Sequence, residues 1–277
     1  MTVISEPGSP RPVTPASILA SKLDELARQL ERSGSLDPVS REQLQEVCEL
    51  AAGLDPYLSR CTSPESAELL RLADRTQAED WRGRSAGAAS GHLEQEMLSG
   101  HVEGQLLKML VHATRATRVL EIGMFTGYSA LAMAEAMPTR GQVIACEIDA
   151  DVAAFAQRCF DDSPAGEKIT IRVGPALDTL GELAETGRQF DLVFIDADKA
   201  GYSGYFNALL EKGLLAAHAL ICVDNTLLQG QPWLSAASSP NGVAIAEFNE
   251  MVAADPRVEQ VLIPLRDGLT LIRQVES

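Results

Sequence analysis

From Arg118 onward, short apolar runs alternate with longer stretches whose apolar residues recur at helical spacing. RVLEIG (118–123), QVIACEI (142–148), KITIRVG (168–174), FDLVFIDA (190–197) and ALICVDN (219–225) have the length and composition of buried strands. Helical stretches follow them at 127–136, 150–160, 176–185, 202–212 and, beyond a long loop, 242–254. The closing run VEQVLIPLRDGLTLIRQV divides at Asp267-Gly268 into two strands and reads as a hairpin. This alternation predicts an α/β fold: a doubly wound, seven-stranded sheet, mostly parallel, with one antiparallel strand from the C-terminal hairpin.

The first ninety residues predict helices instead. Thr14-Pro15 reads as an N-cap and first helical position, with Gly34 as the stop. Ile18, Leu19, Leu23, Leu26 and Leu30 give that helix one apolar side. Ser40 with Gln43 reads as a capping box for a second helix ending near Gly53, and Ser63-Pro64 as the start of a third. RGRSAGAASG, after Trp81, reads as a flexible loop. The chain thus divides into a helical extension, 1–90, and an α/β domain, 91–277.

Composition narrows the function. Apolar residues make up 45% of 277 residues, enough for a sizeable core, and the net charge is −16. Such a chain is ill suited to nucleic acid or an anionic membrane, because phosphate binding needs clustered Lys and Arg. The five cysteines (48, 61, 146, 159, 222) are irregularly spaced and read as reduced thiols of a cytoplasmic protein. The N-terminal MTVISEPGSPRPVTP is no signal peptide, and no apolar run reaches membrane-spanning length.

In doubly wound sheets ligands sit beyond the carboxyl ends of the strands, so residues just after each strand carry the chemistry. The first strand end is Glu121-Ile122-Gly123-Met124-Phe125-Thr126-Gly127-Tyr128-Ser129, where Gly123 permits a tight turn and close approach of a ligand. It is not GxGxxG, which disfavours a dehydrogenase. Glu147 ends the second strand and can accept both hydroxyls of a ribose, or simply begin the next helix as a solvated carboxylate. Glu121 beside that turn suits a cofactor carrying an ammonium. Asp196 ends FIDAD, and Asp224 with Asn225 ends CVDN. If those strands are neighbours, three oxygen donors converge, a set that selects Mg²⁺, Mn²⁺ or Ca²⁺ over Zn²⁺. Lys199, three residues after Asp196, is then a candidate base, or else a surface lysine paired with Asp198. His92, His101, His112 and His218 show no ligand spacing.

EIGMFTGYS, IACEID, VGPALDTL, FIDADKAGY and CVDNTL, in this order, resemble the cation-dependent O-methyltransferases of the caffeoyl-CoA and catechol type. The likeness spans roughly residues 93 to 275. GLDPYL, TSPES, EDW and LEQEMLSGHVEGQ resemble, more particularly, the O-methyltransferases of mycosporine-like amino acid biosynthesis, which yield 4-deoxygadusol. The resemblance implies a Rossmann-like fold, a homodimer and S-adenosyl-L-methionine (SAM) over the first three strand ends. Glu121 and Gly123 would face its methionine part, with Ser129 nearby, Glu147 would hold the ribose, and Phe125 and Ile148 would also bind the cofactor. Ala176 would border the adenine, with Met97, Ser99 and Asp198 close by. It implies Asp196, Asp224 and Asn225 as ligands of a divalent cation, Lys199 as the base, and Asp196 as a catalytic residue that also meets the cofactor. The acceptor would be a small molecule with adjacent oxygens: an enediol, the demethyl precursor of 4-deoxygadusol, or a catechol-type phenol. The region LLQGQPWLSAASSPNG differs from the plant enzymes, and no basic cluster suited to CoA is evident. Trp233 within it is a candidate lid residue or an anchor to the core, and Tyr57 could serve packing. A SAM-binding scaffold without catalysis is the non-enzyme alternative; it would have no use for a positioned metal and base.

Overall fold

The computed structural model describes residues 11–81, 93–234 and 239–275. The expected loop at 82–91, with His92, lies outside them. Three N-terminal helices are present: α1 (Pro15–Ser33), α2 (Pro38–Cys61) and α3 (Ala67–Ala78). Thr14 caps α1 in a reciprocal box with Ser17, and Gly34 ends it in a left-handed conformation, as its sequence predicts. The apolar side of α1 is only partly covered: Ile18, Leu23 and Leu30 are half-buried, Leu19 is 56% exposed, and neither α1 nor α2 contains a buried residue among those described.

The start of α2 differs from expectation. Asp37 is the cap, accepting from the amides of Val39 and Ser40, with Pro38 at the first helical position. A carboxylate followed by Pro outcompetes the Ser40 box three residues later. Gly53 does not stop the helix, since one interior glycine costs only about 1 kcal/mol. The third helix begins after Ser66 rather than Ser63, because the Ser66 hydroxyl caps the Leu69 amide.

A further helix, α4 (His101–Thr114), precedes the sheet and was not predicted. Then follow β1 (Arg118–Ile122), α5 (Tyr128–Ala136), β2 (Gln142–Glu147), α6 (Ala150–Asp161), β3 (Ile169–Val173) and α7 (Ala176–Glu185). The chain continues through β4 (Phe190–Ile195), α8 (Tyr202–Glu211), β5 (Leu215–Val223), α9 (Pro240–Ala254), β6 (Val258–Ile263) and β7 (Leu269–Gln274). The seven strands lie in the order β3-β2-β1-β4-β5-β7-β6, parallel from β3 to β5, with β7 antiparallel to both its neighbours. This is the Rossmann-like sheet expected; β5 merely begins four residues earlier than its apolar run suggests.

Alternate strand residues face opposite layers, as a sheet buried on both sides requires. Val119, Val143, Leu192 and Phe194 join the core shared with Leu69, Leu107, Leu131 and Phe160. Leu120, Ile144, Val193 and Ile221 join the opposite core, with Leu180, Phe206 and Phe248. Two filled cores fix the heights of the strand tips, and the tips carry the site. Among the described residues, no helix is long and apolar enough to cross a membrane.

Candidate active site

β4 and β5 are adjacent and in register, Ile195 opposite Val223. The ladder continues one step further, where the Asp224 amide donates to the Ile195 carbonyl at 2.9 Å. Asp196 and Asp224 therefore stand side by side. Asn225 follows in a left-handed conformation, φ 58°, with its amide donating to Asp224 Oδ1 at 2.7 Å. A non-glycine residue held there is strained, and such strain gathers at functional sites. Lys199 spans both tips: within hydrogen-bond reach of Nζ, which has three N–H bonds to give, lie Asp196 Oδ1 (3.1 Å), Asn225 Oδ1 (2.6 Å), the Ala197 carbonyl (3.1 Å) and the Tyr202 hydroxyl (2.7 Å). Tyr202 in turn donates to the Asp224 carbonyl at 3.0 Å. Lys199 is therefore part of the site, not a surface lysine paired with Asp198; the Tyr205 hydroxyl takes Asp198 instead.

Burial, and then the charge of Asp196, push the Asp224 carboxyl well above its usual range, with Arg266 and Lys199 opposing. A divalent cation would relieve that repulsion. Among the described residues, no three His, Cys, Asp or Glu side chains form a metal cluster by themselves, so a three-donor site here would have to draw on the Asn225 amide. Two carboxylates and an amide oxygen are hard donors and fit such an ion.

Two residues not read from the sequence complete this end. Glu103, in the first turn of α4, is 1% exposed, and its carboxyl lies against that of Asp224. Arg266, in the β6–β7 turn, donates from Nη1 to Glu103 Oε2 at 3.2 Å. The other oxygen, Oε1, has no hydrogen-bond partner. The same turn reaches the loop after β5, where Asp267 Oδ1 accepts from the Gln229 amide at 2.5 Å.

On the cofactor side, Glu147 is 6% exposed, and each of its oxygens accepts one backbone amide: Phe125 at 2.8 Å and Asp149 at 2.9 Å. Each oxygen keeps acceptor capacity for a further donor, so the carboxylate is oriented but not saturated. Gly123 has φ +86°, and a Cβ there would lie 2.1 Å from the Asp196 carbonyl oxygen. The need for glycine thus comes from the neighbouring strand tip, whatever binds beyond it.

Except for Glu103 and Tyr202, which do not border it, these groups line one cavity of 770 Å³, within the range of small-molecule sites. Met97, Ser99, Gly123, Phe125, Glu147, Ile148, Ala176, Asp196, Asp198, Lys199, Asp224 and Asn225 all border it. Glu121 and Ser129 do not: they are buried behind the wall, the Ser129 hydroxyl donating to Glu121 Oε1. Burial, reinforced by Asp196 and Glu147, raises Glu121 to about 8, with the Ser129 hydrogen bond opposing. Its Oε2 has no partner. The N-terminal segment also supplies wall: Arg11, Val13 and Thr14 border the cavity, and Arg11 pairs with Glu94.

Comparison with known proteins gives this geometry a context. The O-methyltransferase family profile matches residues 85–275. The chain belongs to the O-methyltransferase family, of the caffeoyl-CoA type. It is 38% identical over 186 residues to a caffeoyl-CoA O-methyltransferase of Eucalyptus gunnii, covering 63% of this chain and 72% of that protein. A probable caffeoyl-CoA O-methyltransferase 1 of Dictyostelium discoideum is 35% identical over 182 residues, covering 65% and 78%. Among solved structures, an SAH-bound methyltransferase of Podospora anserina superposes with a TM-score of 0.70 at 27% identity, covering 82% of this chain and 96% of the other. The O-methyltransferase TomG of Streptomyces achromogenes, in complex with SAM, gives 0.69 at 28%, covering 81% and 96%. This enzyme is a SAM-dependent O-methyltransferase acting on a small molecule.

The remaining expectations of the O-methyltransferase fall elsewhere. Trp233 is 57% exposed and does not border the cavity; its ring lies beside Gly230 of the same loop. Tyr57, also 57% exposed, lies beneath the Arg60 guanidinium on the surface. His101 is structural, its Nε2 meeting the Ser63 carbonyl at 2.7 Å. Cys146, Cys159 and Cys222 are buried as expected, whereas Cys61 is exposed.

Proposed function

We propose that the enzyme methylates one of two adjacent oxygens on a small acceptor, with the help of a divalent cation, and that the acceptor is a cyclohexenone enediol, the demethyl precursor of 4-deoxygadusol. One observation carries the chemistry: an oxygen donor set and an amine share a cavity wall with a pre-oriented, unsaturated carboxylate, Glu147. In this reading Asp196, Asp224 and Asn225 hold the cation, which when bound supplies Lewis-acid activation of the acceptor hydroxyl.

The chain's own residues do the rest. Glu147 takes the ribose hydroxyls of SAM, and Gly123, Phe125, Ile148, Ala176, Met97, Ser99 and Asp198 shape the cradle around the donor. Lys199 removes or shares the acceptor's hydroxyl proton. The acceptor oxygen bonds to the sulfonium methyl as the carbon–sulfur bond breaks, leaving SAH. Well-oriented partners of this kind can gain on the order of 7–11 kcal/mol from proximity. Glu121, buried and not bordering the cavity, would act on the donor's ammonium only from behind the wall.

The enediol is supported by the amino-terminal resemblance and by the wall contributed by Arg11, Val13 and Thr14, which lie outside the family match. The second reading, a catechol-type phenol, is supported by the names of the curated relatives. A CoA ester is disfavoured: among lining residues, the bases Arg11, Lys199 and Arg266 are paired with acids. Turnover of the demethyl precursor, caffeic acid and caffeoyl-CoA by the purified enzyme, with and without chelator, decides. Preference for a phenol overturns the substrate, and activity in exhaustively chelated enzyme overturns the cation. A homodimer, supported by the exposed apolar residues of α1 and α2, is tested by light scattering. Reduced cysteines support a cytoplasmic location.

A further inference from the structure

One guanidinium ties together parts of the site that are far apart in the sequence. Arg266 donates from Nη1 (3.3 Å) and Nη2 (3.2 Å) to the Leu98 carbonyl, and from Nη1 to Glu103 Oε2. Leu98 lies between Met97 and Ser99 and borders the cavity with them; Glu103 lies against Asp224, which borders it too.

The joint is over-determined. Arg266 itself sits at φ 49°, a strained conformation for a long side chain. Gly100, at φ +79°, has room for no Cβ without displacement, because Arg266 Nη1 would lie 3.1 Å from it. The Glu103 side chain is 2% exposed and Arg266 is its ion-pair partner. An arginine offers the planar fork needed to serve a carbonyl and a carboxylate at once; a lysine does not.

We infer that Arg266 is a positioning residue for the SAM-binding wall, holding the 97–99 segment against the metal-side end of the cavity through the Leu98 carbonyl. This rests on reading the cavity as the SAM site. Arg266 itself borders the cavity, but its hydrogen bonds go to the Leu98 carbonyl and Glu103 rather than to Asp196, Asn225 or Lys199. It fixes where Met97 and Ser99 stand, so its loss is felt in cofactor binding before it is felt in the chemical step. The alternative is a purely structural ion pair that keeps Glu103 from being buried unpaired.

Calorimetric SAM binding, thermal unfolding, and kcat and KM for wild type and four variants separate these roles. Arg266→Met raises the SAM Kd and the KM for SAM by roughly tenfold, the loss expected for a charge-assisted hydrogen bond that orients a binding segment, with a smaller change in kcat. Arg266→Lys keeps a cation beside Glu103 and therefore the fold, but serves Leu98 poorly; its Kd falls between the two. The double variant Glu103→Gln with Arg266→Met removes the stranded carboxylate: it regains thermal stability while SAM binding stays weak. Restored affinity in the double variant, or wild-type affinity in Arg266→Met, overturns the inference. Glu147→Gln is the separate control on the site: if it binds SAM as wild type does, the cavity assignment falls and the inference with it. If it binds weakly while Arg266→Met binds normally, only the inference fails.

Discussion

Replacing Glu121 by Gln tests the electrostatics behind the cofactor wall. Glu121 is fully buried and is raised from 4.5 to about 8, chiefly by burial. In the unfolded chain it loses its proton near 4.5; in the native enzyme it keeps it until about pH 8. Between those values the native state binds more protons, so wild-type stability falls as pH rises. At about 1.4 kcal/mol per unit, the full window is worth about 5 kcal/mol. Gln keeps an acceptor for the Ser129 hydroxyl but cannot ionise. The stability of Glu121→Gln relative to wild type should therefore climb steadily with pH and level off above about pH 8. Urea unfolding of both proteins, at several values from about pH 5.5 to about pH 9, measures the difference. A difference that does not change with pH refutes the reasoning. A second readout tests contact with the donor: if the SAM ammonium draws on Glu121, binding near neutral pH releases roughly one proton, seen as buffer-dependent heat in wild type and absent in the variant.

Gly123→Ala forces a Cβ to within 2.1 Å of the Asp196 carbonyl at φ +86°. The displaced Asp196 lowers kcat roughly a hundredfold; steady-state kinetics beside a thermal melt check that the fold survives. Lys199→Met lowers kcat by roughly 10²–10⁴-fold while SAM binding, followed by calorimetry, stays close to wild type. Exhaustive chelation abolishes turnover but leaves SAM binding, and Mg²⁺ or Mn²⁺ restores the rate.

The sheet and most of the site were legible because strand tips announce themselves. An apolar run that ends in Asp196 or in Asp224-Asn225 leaves its polar groups at one height, and adjacency of β4 and β5 brings them together. Glu103 and Arg266 gave no such signal. They are 163 residues apart, and a lone acid in the first turn of a helix looks like any carboxylate at a positive helix end. The β6–β7 turn reads as a plain hairpin turn from Asp267-Gly268; only the fold reveals that it also clasps the loop after β5 through the Leu227 and Gln229 amides. At the amino terminus, local signals competed: Asp37-Pro38 and Ser40 both announce a helix start, and the stronger cap won.

The Arg11–Thr14 strand of wall has an engineering consequence. These residues lie outside the family match, which begins at residue 85, so this part of the wall can be varied without touching Asp196, Lys199, Asp224 or Asn225. Exchanging that segment would show how far it governs the acceptor range, with SAM binding measured alongside, because Arg11 pairs with Glu94 close to Met97.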